Sequence, residues 1–343
     1  MNRTKTLALW TEGREAWNAW AKERLNERQA LEAAGRWDAE EGRVSDRRLV
    51  GRNDETRAWL NAARADFRGH SFDKDANFFG FTFPGVADFG PTDDDGRPQL
   101  TVFVKAADFR EVRFSGEAWF DNAQFSDEAR FDNAQFSGVA TFGKAQFSGN
   151  AHFKDAQFSD IAWFNEARFS DMAWFWKAQF SGGVYFNEAQ FSGEASFNGV
   201  QFSDDAWFTK AQFLDVAGFQ QAIFDGPASF AKTRFIKAAA FTAIRSERGF
   251  TLEGARFAEL PDFIQAHFAE APRLDDMSIV ALAGPWYRRL FHRDLDAAAR
   301  YRALKRLAVQ GHDHERELSF FAEELRSLRG AHDKLLPRPW NLF

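Results

Sequence analysis

The sequence of 343 residues contains no cysteine, only three tyrosines and three methionines, and no long apolar run. Without cysteine the chain forms neither disulfides nor thiolate metal sites, which fits a reducing compartment. The opening residues MNRTKTLALWTEGREAW lack the apolar stretch of a secretory signal peptide. No segment approaches the roughly 18 consecutive apolar residues that cross a membrane. We therefore expect no transmembrane segment within this sequence.

The two ends of the chain lack a strong excess of either charge, although the formal net charge of the whole chain is −6. Residues 65–271 carry 18 basic and 29 acidic residues, whereas residues 1–64 and 272–343 have net charges of +2 and +3. Phosphate backbones are recognised by basic surfaces. An acidic centre therefore argues against direct nucleic-acid binding.

Phenylalanine is present in great excess, with 41 copies that follow a regular spacing. In AWFDNAQFSDEARFDNAQFSGVATF, residues 118–142, the intervals between phenylalanines are alternately five and six residues. The spacing continues over 103–268, where Ser246 is the polar defect and Leu252 replaces one phenylalanine. A second block covers 67–89, and GPTDDDGRPQLTV separates the two blocks. Regularity over this length predicts a repeat architecture.

A small residue, usually alanine, lies two positions before most of these phenylalanines. Side chains at i and i+2 lie on one face of an extended segment, and the spacing does not fit a helix of 3.6 residues per turn. The pattern resembles the pentapeptide-repeat family in its Phe-centred variant, over roughly residues 65–270. The resemblance implies a mostly β protein: a right-handed quadrilateral β-helix in which the phenylalanine and the small residue point inward.

The alternating spacing predicts the length of one coil. Four sides of five, six, five and six residues make a coil of 22, and the pattern then gives about nine coils. The alternative is a two-sided coil of 11 residues. That shorter coil would stack Phe120 directly on Phe131. The aromatic residues directly before phenylalanine favour the 22-residue coil, because most of them are separated by multiples of 22 residues.

The six-residue sides contain their extra residue in a corner after serine, where Gly or Asp recurs. Both residue types tolerate positive φ, so we expect a bulged corner there. The nine serines from Ser115 to Ser203 share one position and are interpreted as corner residues, not nucleophiles. The recurring corner residues are Gly116, Asp127, Gly138, Gly149, Asp160 and Asp171.

The two ends are predicted to be helical and to cap the β-helix. We expect an N-terminal helical cap at 1–64, the β-helix at 65–271 with an insert loop at 90–102, and a C-terminal helical segment at 272–343. Unpaired strand edges at both ends of a solenoid need such caps.

Within these caps, helices are predicted at 11–34 and 54–63, the second with Asp54 as its N-cap. An αα-hairpin is predicted from 294–309 and 313–329. In the second helix of that hairpin, apolar residues form one stripe: Leu318, Phe321, Ala322, Leu325 and Leu328.

No catalytic constellation stands out in the sequence. Nucleophile elbow, Walker loop, dinucleotide fingerprint and zincin helix are all missing. The HDH motif at 312–314 lacks obvious further ligands, and DDDG at 93–96 lacks the first acidic ligand and the glutamate of a calcium loop. We expect no catalytic, cofactor-binding or metal-binding residues, and no enzyme.

Two surface features are candidates for binding a partner. The first is an aromatic column of Trp119, Trp163, Tyr185 and Trp207, which should point outward because each precedes an inward phenylalanine. The alternative is that the terminal helices cover it. The second is the insert loop with Asp93, Asp94, Asp95 and Arg97.

These features favour a non-catalytic scaffold or protein–protein interaction module, with a protein partner that the sequence does not identify. The segment YRALKRLAVQGHDHERELSFFAEELRSLR is similar to one that precedes membrane helices in longer relatives. A cytoplasmic protein, alone or in a membrane-associated assembly at the inner face of the membrane, follows as the expectation. The alternative function is DNA mimicry towards a type II topoisomerase such as gyrase, which requires a continuous acidic stripe.

Overall fold

The computed structural model describes residues 1–41, 49–92, 98–280 and 296–332. Most of that part is a parallel β-solenoid of about ten turns, with helices at its N- and C-terminal ends. The predicted fold class, a mostly β protein with a β-helix flanked by α-helical segments, is therefore confirmed.

The coil length of 22 residues is visible in the strand register. Ala118 pairs with Ala140, and Phe125 pairs with Phe147, each in parallel. The ring of Phe120 stacks on that of Phe142 at 4.8 Å and 2°, whereas it meets Phe131 edge-on at 5.5 Å and 87°. The alternative of an 11-residue coil is excluded.

Most coils contribute one two-residue strand to each of four sheets, which we number in chain order. The strands of sheet 1 are Ala65–Asp66, Ala87–Asp88, Ala118–Trp119, Ala140–Thr141, Ala162–Trp163, Val184–Tyr185, Ala206–Trp207, Ala228–Ser229 and Phe250–Thr251. The strands of sheet 2 are Ser71–Phe72, Val102–Phe103, Gln124–Phe125, Gln146–Phe147, Arg168–Phe169, Gln190–Phe191, Gln212–Phe213, Arg234–Phe235, Arg256–Phe257 and Ser278–Ile279. The strands of sheet 3 are Ala76–Asn77, Ala107–Asp108, Ala129–Arg130, Ala151–His152, Ala173–Trp174, Ala195–Ser196, Ala217–Gly218 and Ala239–Ala240. The strands of sheet 4 are Thr82–Phe83, Arg113–Phe114, Gln135–Phe136, Gln157–Phe158, Gln179–Phe180, Gln201–Phe202, Ile223–Phe224, Arg245–Ser246 and His267–Phe268.

The interior of the solenoid consists of four columns of phenylalanine rings. Within a column successive rings lie parallel, as Phe125 and Phe147 do at 4.7 Å and 1°. Between columns the rings meet edge-on, as Phe131 and Phe142 do at 5.5 Å and 89°. Each buried phenylalanine contributes about 1.5–3 kcal/mol, and a well-oriented aromatic pair adds about 0.5–1.5 kcal/mol. The core is therefore continuous along the solenoid.

The corners differ from the sequence-based expectation. Positive φ occurs on the five-residue sides, two positions after phenylalanine, as at Asn122 (57°) and Asn133 (56°). The Gly and Asp residues of the six-residue corners do not have positive φ, so that reason for expecting a bulged corner is wrong. At Gly149 glycine is needed for space, because a Cβ would lie 2.7 Å from the backbone carbon of Asp127 in the preceding coil. Asp127 itself accepts a hydrogen bond from the backbone N–H of Glu128.

The N-terminal cap contains three helices, α1 (Arg3–Thr11), α2 (Arg14–Ala33) and α3 (Asp54–Ala63). Two short antiparallel strands, Ala39–Glu41 and Leu49–Gly51, lie between α2 and α3. The N-cap of α3 is not Asp54, as predicted, but Asn53. Its side chain accepts a hydrogen bond from the backbone N–H of Thr56 at 2.7 Å.

Trp17 of α2 closes the first coil. Its ring is fully buried and lies 5.9 Å from that of Phe67 and 5.1 Å from that of Phe83. Its Nε1–H donates to the carbonyl oxygen of Thr82 at 2.9 Å. Trp17 thus covers part of the open end of the phenylalanine columns and uses a backbone acceptor of sheet 4. Trp10 of α1 covers the other part, since its ring lies 5.2 Å from that of Phe72 and 5.5 Å from that of Phe78.

The C-terminal hairpin consists of α4 (Ala297–Gln310) and α5 (His314–His332). Gln310 Nε2 donates to the carbonyl oxygen of Phe268 at 2.9 Å, which ties α4 to the last strand of sheet 4. Arg300 of α4 lies 3.7 Å from the carboxylate of Asp262. The hairpin is therefore seated at the C-terminal end of the solenoid.

The face of α5 that is buried is not the predicted apolar stripe. Phe320 and Glu324 are buried, and Glu324 accepts hydrogen bonds from Arg302 at 2.7 Å and Lys305 at 2.8 Å. These two cations from α4 lower the pKa of Glu324, although its burial alone would raise it. Four of the stripe residues point to solvent instead: Leu318, Phe321, Leu325 and Leu328.

Candidate functional site

The aromatic column lies on the outer face of sheet 1, at the second residue of its strands. Trp163, Tyr185 and Trp207 occupy three successive coils. The rings of Trp163 and Tyr185 stack at 4.3 Å and 15°. Trp207 is 38% exposed, so the terminal helices leave it accessible to solvent. Because the rings of Trp163 and Tyr185 stack along the column, they present ring edges outward.

Trp119 belongs to a different environment, although it shares the column. Thr141 lies between Trp119 and Trp163. The guanidinium carbon of Arg64, at the end of α3, lies 5.4 Å from the centroid of the Trp119 ring. Trp119 therefore sits at the junction of cap and solenoid, separated from the three aromatic residues further along.

Asp88 is the acidic partner at this junction and is the register neighbour of Trp119. Its buried carboxylate forms a hydrogen bond with Arg64, and Arg68 lies 3.6 Å away. Burial raises the pKa of Asp88, which Arg64 only partly offsets. Asp88, Arg64 and Trp119 therefore link the N-terminal cap to sheet 1.

A second aromatic surface, which the sequence analysis missed, lies on sheet 3 and the turn that follows. Trp174 and Trp176 are 37% and 43% exposed. The Nζ atoms of Lys154 and Lys177 lie 4.8 Å and 4.9 Å from the Trp176 ring centroid. The ring of His152 meets Trp174 edge-on at 4.7 Å. The sequence does contain a signal for this surface, because tryptophan is unusual at the positions of Trp174 and Trp176 in the 22-residue repeat.

The other candidate site residues, Asp93, Asp94, Asp95 and Arg97, lie outside the residues that the structure describes. The described ends of the insert are joined. Thr92 N–H donates to the carbonyl oxygen of Gln99 at 2.8 Å, and Gln99 N–H donates to Thr92 Oγ1 at 3.2 Å. The insert is therefore closed at its base.

The HDH motif has a structural use at the start of α5. Asp313 accepts a hydrogen bond from the backbone N–H of Arg316 at 3.0 Å and another from its guanidinium at 2.5 Å. These bonds lower the pKa of Asp313, against the opposing effect of burial. Over 1–41, 49–92, 98–280 and 296–332, no three His, Asp or Glu side chains are grouped so that they could hold a metal.

At two corners of the solenoid, aspartate alternates with glycine from coil to coil. Within the described residues, neither corner column places carboxylates on successive coils between Asp127 and Gly226. One column reads Asp127, Gly149, Asp171, Gly193 and Asp215. The other reads Asp160, Gly182, Asp204 and Gly226.

On a third corner acidic residues do occur on successive coils, but they are paired with lysine. Glu166 lies 3.6 Å from Lys144, and Glu188 lies 2.8 Å from Lys210. The negative charge at this corner is thus partly neutralised.

Comparison with known families adds sequence evidence to this geometry. A family model of pentapeptide repeats, built of nine copies, matches residues 100–146, 142–190, 175–220, 186–234 and 197–245. The chain is a pentapeptide-repeat protein. The matched residues of this pentapeptide-repeat protein all lie within the solenoid. Comparisons with curated proteins and with solved structures gave no match. Among the described helices, none has both the length and the apolar character needed to cross a bilayer.

Proposed function

We propose that this pentapeptide-repeat protein is a non-catalytic scaffold that binds a protein partner through the outer face of sheet 1. The observation that carries the proposal is the run of Trp163, Tyr185 and Trp207 on three successive coils, with Trp207 38% exposed. Large aromatic side chains exposed together on a soluble protein usually mark a contact surface.

The backbone beneath these side chains is held in place on both sides. The strand Val184–Tyr185 pairs with Ala162–Trp163 and with Ala206–Trp207. Little ordering of the backbone is needed on binding, and Trp and Tyr lose few rotamers when they are immobilised. The outward ring edges carry partial positive charge and suit carbonyl or carboxylate oxygens of a partner.

DNA mimicry is the less favoured alternative. An imitation of the duplex needs closely spaced negative charges, because one DNA strand places a phosphate every 3.4 Å of helix axis. Carboxylates on alternate coils, as in the column of Asp127, Asp171 and Asp215, are about 9.6 Å apart if each coil rises about 4.8 Å. The arrangement therefore favours the scaffold. Cytoplasmic location and membrane association remain predictions.

Affinity purification from the native host, with quantitative mass spectrometry, tests the proposal. The variant carries Trp163→Ser, Tyr185→Ser and Trp207→Ser. Proteins that bind through sheet 1 should be enriched with the wild-type chain and depleted at least about tenfold with the variant, since hot-spot aromatic residues each contribute about 2 kcal/mol or more.

A matched control carries Trp174→Ser and Trp176→Ser on sheet 3, where the exposure is similar. This control should retain the same partners. If the sheet 1 variant retains every protein that the wild-type chain enriches, the proposal is wrong. A gyrase supercoiling assay provides the direct test of the alternative.

A further inference from the structure

Helix α5 exposes a narrow apolar stripe along its outer face. Leu318 is 68% exposed, and Phe321, Leu325 and Leu328 are between 38% and 43% exposed. Their intervals of three, four and three residues match the a and d positions of a heptad. A stripe restricted to a and d is typical of the seam between two helices, whereas a helix that packs on a globular core has a wider apolar face.

A neighbouring face of α5 is already occupied by α4. Phe320 is 3% exposed, and Glu324 is bound by Arg302 and Lys305 of α4. The Lys305 ammonium also lies 4.8 Å from the centroid of the Phe321 ring. The stripe therefore belongs to a helix whose position is fixed, and its orientation towards solvent follows from the packing of the hairpin.

The charges along α5 are polarised from end to end. Residues 313–317 contain three carboxylates and one arginine, Arg316, whereas 325–332 contain two arginines and no carboxylate. The side chain of Arg326 forms an ion pair with Glu323 of the same helix at 2.5 Å and is 67% exposed. In an antiparallel pair of such helices, the acidic end of each lies beside the basic end of the other. A parallel pair would place like charges together.

We propose that α5 pairs with α5 of a second copy of the chain, antiparallel and about a two-fold axis. Leu318 then packs against Leu328 of the second copy, and Phe321 packs against Leu325 of the second copy. The contact is isologous and closes as a dimer. Because α5 lies at the C-terminal end of the solenoid, the dimer joins two scaffolds at their C-terminal ends and presents two copies of sheet 1.

Sedimentation equilibrium of the full chain over a range of concentrations measures the association. Leu318→Glu should raise the dimer dissociation constant at least about tenfold, because each dimer loses two buried leucines and gains two buried charges. The matched control is Leu214→Glu, since Leu214 is 41% exposed on the solenoid and lies outside α5. The control should leave the dissociation constant unchanged.

The absence of native cysteine permits a direct test of orientation. Chains with Phe321→Cys and chains with Leu325→Cys are oxidised separately and as a mixture. An antiparallel pair should give the crosslinked species mainly in the mixture, whereas a parallel pair should crosslink each variant with itself. Predominant self-crosslinking therefore overturns the antiparallel arrangement.

A wild-type chain that stays monomeric at all concentrations overturns the proposal as a whole. In that case another part of the chain or a different protein covers the stripe. Circular dichroism of Leu318→Glu distinguishes lost pairing from lost folding. The variant should retain the helical signal and the melting temperature of the monomer, because Leu318 is mostly exposed.

Discussion

Phe250 fills the space that Ser246 leaves in the phenylalanine column of sheet 4. Ser246 stands in register between Phe224 and Phe268, where the column would otherwise contain a third ring. Phe250 occupies a position of sheet 1 that is alanine in the preceding coil, since it pairs with Ala228. Its ring lies 5.6 Å from that of Phe224 and 5.1 Å from that of Phe268, edge-on to both. Sheet 4 therefore has a small residue, Ser246, where the repeat has phenylalanine, and sheet 1 has a large residue, Phe250, where the preceding coil has alanine.

This exchange predicts strong coupling between the two positions. Phe250→Ala should destabilise the chain by about 3–5 kcal/mol by creating a cavity. Ser246→Phe should destabilise it by about 1–3 kcal/mol by overpacking. The double variant restores the usual repeat. Its loss of unfolding free energy should therefore be much smaller than the sum of the losses in the two single variants. Denaturant unfolding of all four proteins gives the coupling energy, and additive effects would contradict the exchange.

The close approach of successive corners predicts a large effect at Gly226. A Cβ at this position would lie 2.4 Å from the backbone carbon of Asp204. Gly226→Ala should therefore cost about 1–3 kcal/mol, as other overpacked positions do. Gly249→Ala is the control, because a Cβ there would meet nothing closer than Glu270 Oε2 at 3.8 Å. Melting temperatures should separate the two variants, and equal values would show that the corner can relax.

The sequence was sufficient to predict the coil, because a spacing of five and six residues and the sorting of aromatic residues depend on a period of 22. The corner conformation was not predictable, since the space available to Gly149 depends on the coil below. The buried face of α5 was also mispredicted. Its position depends on ion pairs of Glu324 with two residues of another helix, and such long-range contacts leave no local pattern.

The candidate site, like the fold, could be predicted from the sequence only in part. The outward direction of Trp163 and Tyr185 follows from their place before an inward phenylalanine, and the structure agrees. Accessibility depends on where the terminal helices lie, which local pattern does not determine. Trp174 and Trp176 were not predicted as a binding surface because they lie in the other half of the 22-residue coil, away from the column that contains Trp163 and Trp207.

Trp17 provides a test of the N-terminal cap. Trp17→Ala should remove the ring that covers Phe67 and Phe83, together with the hydrogen bond to Thr82. The expected cost is about 3–5 kcal/mol, concentrated in the first coils because solenoid stability depends on neighbouring repeats. Hydrogen exchange should increase near residues 65–89 and remain slow near 150–200. Trp20→Ala, at a half-buried position, should have a smaller effect; equal exchange in both variants would argue against the capping role.

Asp132 gives the solenoid a pH-dependent penalty. Burial raises the pKa of this half-buried carboxylate above its ordinary value of 3.8, although His152 acts in the opposite direction. In the folded state the proton is thus held to higher pH than in the unfolded state. Stability falls as the pH rises from 3.8 through the raised pKa, and the full penalty persists at neutral pH.

Asp132→Asn should remove that penalty and keep the acceptor. Asp132 Oδ1 accepts from the backbone N–H of Lys154 at 3.3 Å, and Asn198 at the equivalent position accepts from Gln220 N–H at 3.0 Å. The variant should melt at a higher temperature than the wild-type chain at pH 7, and the difference should vanish near about pH 3, where both states are protonated. The reverse change, Asn198→Asp, should lower the melting temperature at pH 7. A lower melting temperature for Asp132→Asn at pH 7 would instead indicate that attraction to His152 and Arg130 outweighs the cost of burial.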